Sequence, residues 1–174
     1  MNLYFRLLVL LVRLTRLPRA PLFAPSRVRF RALPTDCDVN LHLNNGRYLS
    51  FMDLGCVHLM HQIRVASIAM RERWKPVVAA VEMQFIRPIA PMQRFDVLTR
   101  IVTWDEKYIY LEHRFEADGT LCAHAFTKGL FLASHGKVDN RLLVTRLGYE
   151  DRAPEMPEEL RIWAQLGTVK KKKA

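Results

Sequence analysis

Between residues 94 and 136 three strand-like runs follow one another through turns too short to hold a helix. RFDVLTRIVTW (94–104) is rich in β-branched and aromatic residues. Asp105-Glu106-Lys107 makes a tight turn into YIYLEHRFEADG, where Ile109, Leu111 and Phe115 oppose Tyr110, Glu112 and Arg114. Asp118-Gly119 is a hairpin signal, because both central positions of the favoured turn take positive φ. LCAHAFTKGLFLASHG (121–136) is then a longer strand that ends in a turn at His135-Gly136. Parallel neighbours need a crossover of about a dozen residues or more. These strands therefore pair antiparallel.

Upstream lie two further strand-like runs and one helix. SRVRFRAL (26–33) alternates arginine with apolar residues. In VVAAVEMQFIRP (77–88), Val81, Met83 and Phe85 alternate with Gln84 and with Glu82, which is assigned to the solvent face. In GRYLSFMDLGCVHLMHQIRV, Tyr48, Met52, Cys56, Leu59 and Ile63 recur at helical spacing, and Leu49, Phe51, Leu54, Val57 and Met60 extend the apolar surface around most of the circumference. A helix apolar nearly all round is a buried one. The pattern predicts an α+β fold, a curved antiparallel sheet wrapping one long central helix. Pro154 and Pro157 open a short C-terminal helix, PEELRIWAQL, and the final KKKKA reads as a solvated tail. The expected division is an N-terminal helix with a proline-rich connection (1–25), one domain (26–169) and the lysine-rich end (170–174).

The net charge of +10 favours acidic partners: an anionic membrane surface, a phosphate-bearing substrate, an acidic carrier protein or nucleic acid. The basic residues are spread along the chain and no nucleic-acid motif is present, so nucleic acid is set aside. Cys37, Cys56 and Cys122 are odd in number and lack metal-like spacing, which points to a reducing, cytoplasmic setting. Cys37 sits between two aspartates that raise its pKa, the opposite of what a nucleophilic thiolate needs. The histidines at 58, 61, 113 and 124 read as structural, without a metal role. The N-terminal MNLYFRLLVLLVRLTRLPRAPLF has an uncharged run, Leu7 to Val12, far short of the roughly 20 residues of a spanning helix. It reads either as a helix packed on protein or as one lying in an anionic bilayer interface, with Arg6, Arg13 and Arg16 reaching for headgroups at the inner face of a membrane. On the second reading residues 1–17 are dispensable for the fold.

The densest polar cluster is DCDVNLHLNNGRYLS (36–50). Asp38, Asn40 and His42 follow at i, i+2 and i+4, a spacing that tends to put three side chains on one side of an extended or irregular loop. The loop runs into the central helix, whose first N–H groups lack intrahelical partners. A carboxylate, a carboxamide and an imidazole beside free N–H donors suit acyl transfer: Asp38 activates water or attacks a carbonyl, and the N–H groups hold the oxyanion. The competing reading is purely structural, with Asn44 or Asn45 capping the helix and Asp36 and Asp38 as turn residues.

The string D-C-D-V-N-L-H-L-N-N-G-R-Y resembles the signature of hotdog-fold thioesterases. It is similar to the D-x-N-x-H-x-N-N-x-x-Y segment of plant acyl-ACP thioesterases and to the D-x-D segment of the bacterial 4-hydroxybenzoyl-CoA thioesterase family. More loosely, the likeness runs from about residue 26 to 165 and includes WDEKYIYLEHRF. The resemblance implies a sheet of five or six strands around one helix, usually as a homodimer or a dimer of dimers. It implies hydrolysis of acyl-CoA or acyl-ACP thioesters with no metal or organic cofactor. Asp38 takes the place of the general base or nucleophile, and Asn40 and His42 that of the assisting polar pair. Asn45 and Tyr48 fall in the same segment and are carried over as substrate-binding positions. Arg87, with Arg71, Arg73 and Lys75, is assigned to CoA phosphates or an acidic carrier helix. The plant enzymes carry a Glu-Cys pair after the helix where this chain has Ile86-Arg87, so hydrolysis is expected to be slow or to rest on Asp38 and the helix terminus. The alternative is a non-catalytic dimer binding acyl chains or proteins at a membrane. A dehydratase needs a different histidine arrangement.

Overall fold

Both turn signals fold as turns, and they set the sheet. The computed structural model describes residues 3–134, 136–149 and 152–172. In chain order the elements are α1 (Leu3–Leu14), β1 (Ser26–Arg31), α2 (Asn45–Gln62), α3 (Val65–Arg71), β2 (Lys75–Phe85), β3 (Arg94–Trp104), β4 (Ile109–Ala117), β5 (Thr120–Ala133), β6 (Gly136–Lys137), α4 (Asn140–Arg146) and α5 (Glu158–Lys172). Asp118 and Gly119 take φ of 49° and 74° between β4 and β5. Asp105 accepts from the Lys107 and Tyr108 N–H groups between β3 and β4. The strands form one antiparallel sheet in the order β1-β3-β4-β5-β2, with β6 added on β5. The turn expected at His135 lies outside the described residues.

The central helix is the expected one, and it lies on one face of the sheet. Phe51 and Leu54 are buried with Phe95, Val97 and Phe115 of β3 and β4. The Phe51 and Phe95 rings meet edge to face at 5.0 Å. Each such side chain contributes about 2–3 kcal/mol by leaving water. Gly55 brings the helix backbone close to β3: a Cβ there would stand 2.6 Å from Thr99 Oγ1. Burial is not complete all round, since Leu49 and Asp53 form an open strip.

Several expectations need correction. The alternation read along β4 fails on its outer face, where Tyr110 and Glu112 are buried. Tyr110 packs with Phe126, Leu130 and Leu160 of α5. Helix α5 is longer than expected and continues through Lys172 into the lysine run assigned to a solvated tail; residues 173 and 174 lie outside the described ones. Strand β2 is an edge with little cover on either side: Val77, Val78, Val81 and Phe85 are exposed, whereas Glu82, expected in solvent, is half-buried. No pattern in the sequence marks α3 or α4, short helices that close the far end of the core around Trp74, Phe131 and Leu143.

Helix α1 is no appendage to the domain. Arg6, Leu10 and Leu14, at i, i+4 and i+8, face inward and are buried. Arg6 pairs with Asp36 and lies over the Phe51 ring. The expectation that Arg6 reaches for headgroups is therefore overturned: the buried carboxylate already holds it.

Candidate active site

The polar cluster is a tight loop, not an extended one. A short 3-10 turn, Pro34–Asp36, leads into it. An antiparallel bridge between Cys37 and Leu43 closes its base. Within the loop the Asp38 N–H donates to the His42 carbonyl (3.0 Å) and the Leu41 N–H to the Asp38 carbonyl (3.1 Å), with Leu41 at φ 57°. Because the chain folds back, Asp38 Oδ2 comes 3.5 Å from His42 Nδ1, within ion-pair range when the imidazole is protonated. Asp38 Oδ1 accepts from the Asn40 N–H at 2.9 Å. The loop thus joins Asp38 to His42 directly and to Asn40 through its backbone, while the Asn40 side chain is exposed. Val39 and Leu41 project outward, 95% and 73% exposed.

The two aspartates of D-C-D differ sharply. Asp38 stays partly open to water, whereas Asp36 is buried. Asp36 accepts from Arg6, from Arg47 Nη2 (2.7 Å) and Nε (3.1 Å), and from the Leu33 N–H (2.9 Å). Its carbonyl also takes the Asn44 N–H. Asp36 therefore ties α1, the loop and the start of α2 together. Nothing in the sequence marks either arginine as a partner of Asp36, since Arg6 lies 30 residues from it and Arg47 lies 11 away. The Cys37 thiol is pushed up by burial and then by Asp36 and Asp38, which keeps it protonated as expected.

Asn44 is the cap of α2, and its Oδ1 accepts from the Gly46 N–H (2.9 Å). Its carbonyl takes the Arg47 N–H. Asn45 is the exposed first residue of the helix. Tyr48, one turn on, is 2% exposed. Its ring meets those of Phe85 (5.1 Å) and Phe115 (4.8 Å), and burial pushes its phenol up to about 12. Tyr48 is thus part of the aromatic wall behind the loop. Arg87 is exposed just past the end of β2 and donates to the Leu121 carbonyl. Arg71, Arg73 and Lys75 sit at the opposite end of that 11-residue strand, about 35 Å away. Within one chain the four cations do not form a single phosphate site.

Behind the open strip of α2 lies an apolar cavity of about 230 Å³, lined among others by Val57, Met60, Val77, Leu130 and Phe131. Asp53 borders it, its carboxyl raised by burial. The Thr127 hydroxyl also lines it, buried and without a hydrogen-bond partner among the described residues. Nothing in the sequence marks Thr127, which reads as one more β-branched strand residue.

Comparison with known proteins bears on this geometry. A family model described as the thioesterase-like superfamily matches residues 32–164. A probable thioesterase of Saccharomyces cerevisiae is 31% identical over 149 residues, 71% of this chain and 64% of that protein. Protein THEM6 of Danio rerio is 36% identical over 110 residues, 61% of this chain and 54% of that protein. The chain thus spans less than two thirds of either relative. Among solved structures, a probable thioesterase from Bartonella henselae superposes with a TM-score of 0.59 at 18% identity, covering 77% of this chain and all of that one. This likeness concerns the fold, and the architecture is the hotdog: a curled antiparallel sheet with its helix.

Proposed function

The chain belongs to the thioesterase-like superfamily, and on that premise we propose that it hydrolyses an acyl thioester carried on CoA or on an acyl carrier protein. The observation that carries the proposal is Asp38: a partly open carboxylate, fixed by the Asn40 N–H and 3.5 Å from His42, in the loop that leads into α2. Asp38 takes a proton from water, and the resulting hydroxide adds to the thioester carbonyl. Among the described residues the N–H of Asn45 has no partner at the helix terminus, where the Asn44 cap and carbonyl occupy those of Gly46 and Arg47. It meets the tetrahedral oxyanion, aided by the positive end of the helix dipole. Collapse breaks the C–S bond, and the thiolate takes the proton back from Asp38, giving carboxylic acid and free thiol. In the nucleophilic variant Asp38 itself adds to the carbonyl, the C–S bond breaks to release the thiolate, and water then opens the mixed anhydride, restoring the Asp38 carboxylate and giving up a proton to the thiolate.

The acyl chain enters the apolar cavity, and Arg87, at the loop end of β2, meets a phosphate of the carrier group. A second copy pairs along β2. That edge offers exposed Val77, Val78, Val81 and Phe85. The other edge, β1, is lined by exposed Arg27 and Arg29, charges of the kind that discourage pairing.

Thiol release across an acyl-CoA series, with the parent and with Asp38→Asn, tests the proposal. The variant keeps the shape and loses the charge, and loss of a general base costs about 10²–10⁴-fold in rate. A folded Asp38→Asn protein that works at the parental rate removes Asp38 from the mechanism. Acyl-CoA binding without hydrolysis by the parent would point to a non-catalytic acyl-binding dimer.

A further inference from the structure

Helix α1 has two faces, and only one of them is used by the domain. Arg6, Leu10 and Leu14 are buried against α2 and the motif loop. On the opposite side Tyr4, Phe5, Leu8, Leu11 and Val12 are exposed, Leu8 to 59% and Val12 to 65%. Five large apolar residues in contact with water within nine positions make a contiguous patch of the kind that marks an interaction site. The charge around the patch is one-sided. The first 35 residues contain seven arginines and no aspartate or glutamate. Of these, Arg6 is committed to Asp36, and Arg27 and Arg29 to Asp96. Arg13, Arg16 and Arg19 are exposed at and beyond the C-terminal end of α1, and among the described residues no carboxylate pairs with them.

We propose that the outer face of α1 docks in the interface of an anionic phospholipid bilayer, with Leu8, Leu11 and Val12 among the acyl chains and Arg13, Arg16 and Arg19 at the phosphates. The helix lies in the plane of the surface. At 12 residues it is about 18 Å long, too short to cross the roughly 30 Å hydrocarbon core, and none of the described helices is long and apolar enough to do so. Apolar side chains on one side and arginines at the margin are what an interfacial helix requires. Here the inner face of the helix is clamped to protein through Arg6 and Asp36. Docking therefore does not leave the domain on a loose tether. It holds the loop that carries Asp38 about one helix diameter, about 10 Å, from the headgroups.

The test uses the full chain and flotation with vesicles of phosphatidylcholine alone or mixed equally with phosphatidylglycerol. The parent is expected to float with the mixed vesicles, to stay behind with pure phosphatidylcholine, and to release the anionic vesicles at high salt. Leu8→Glu with Val12→Glu is expected to abolish flotation without lowering the melting temperature, since both side chains face solvent. Arg13→Glu with Arg16→Glu alters only exposed cations. It should weaken binding by at least about 25-fold, as each basic residue near an anionic surface is worth about a factor of five. Failure of the parent to float overturns the proposal, as does undiminished flotation of the Leu8/Val12 variant. A parent that does not float but loses a dimer in that variant assigns the face to a second copy of the chain instead. None of these readouts depends on thioester hydrolysis.

Discussion

Asp36 and Asp38 are chemically identical and stand two positions apart, yet their surroundings give them separate work. Asp36 is enclosed by two guanidinium groups and a backbone N–H, so its removal strands Arg6 in the core. Breaking a buried pair from one side costs about 3–5 kcal/mol. Asp36→Asn should therefore lower the urea midpoint markedly, while Asp38→Asn leaves it nearly unchanged and lowers only the rate; equal effects of the two on stability would refute this division. The sequence made Asp38 legible through its spacing to Asn40 and His42. It hid the role of Asp36, because no local rule connects residue 36 with residue 6. His113 is a second buried group, with Nδ1 3.1 Å from Thr99 Oγ1 and Nε2 without a partner among the described residues. Burial lowers its pKa from 6.5 to about 3. The unfolded chain then binds a proton that the folded chain refuses, so this stability is complete above about pH 6.5 and is lost as the pH falls toward 3. Burial lowers His58 in the same direction. Glu112, held at about 2 by His124 and Arg100 against 4.5, loses its contribution only at lower pH, below about 4.5. Unfolding free energy measured against pH should slope downward from about pH 6.5, and His113→Gln should flatten that slope in part, leaving the share of His58. An unchanged slope would show that His113 is protonated within the fold.

At the scale of elements, patterns that depend on a segment's own residues were readable, and those set by a distant partner were not. The bounds of β3 and the start of α2 follow from composition and from Asn44, a good cap. The alternation in β4 misled because Tyr110 is buried by α5, some 50 residues further along. Likewise α1 was readable as a helix, but its inward side is set by Asp36. The fit of α2 on the sheet rests on a contact that periodicity does not reveal. Gly55 lets the helix approach Thr99, whose hydroxyl also bonds to His113. A methyl at position 55 must push that hydroxyl away or lift the helix. Overpacking of this kind costs about 1–3 kcal/mol. Gly55→Ala is thus expected to destabilise the protein despite the higher helix propensity of alanine, and pairing it with Thr99→Ser should not relieve the clash, because Oγ is retained. Thr99→Ala should relieve it, at the cost of the bond to His113. If denaturant unfolding shows Gly55→Ala to be as stable as the parent, the close approach is not a constraint.

For the whole molecule, the two edges of the sheet impose different fates. β1 presents three arginines, Arg27, Arg29 and Arg31, alternating along six residues. β2 presents eleven residues with exposed valines and a phenylalanine, and among the described residues no strand lies beside its outer backbone groups. An edge of that length and character is a template for pairing. A second copy joined there would continue the sheet and cover apolar surface, and it would also build on the wall of the cavity, to which Val77 and Val78 contribute. Oligomeric state and substrate binding should then change together. The parent is expected to sediment at twice its 20.3 kDa chain mass. Ala79→Lys with Val81→Lys, which places charges at exposed edge positions outside the cavity lining and away from Asp38, should shift it to the single-chain mass. In that monomer the carboxylate and helix terminus remain while the slot loses its neighbouring wall, so KM for long acyl chains should rise more than kcat falls. A parent that sediments as a single chain at assay concentration would remove the second copy from the account. A monomeric variant with parental KM would show that one chain holds the acyl group alone.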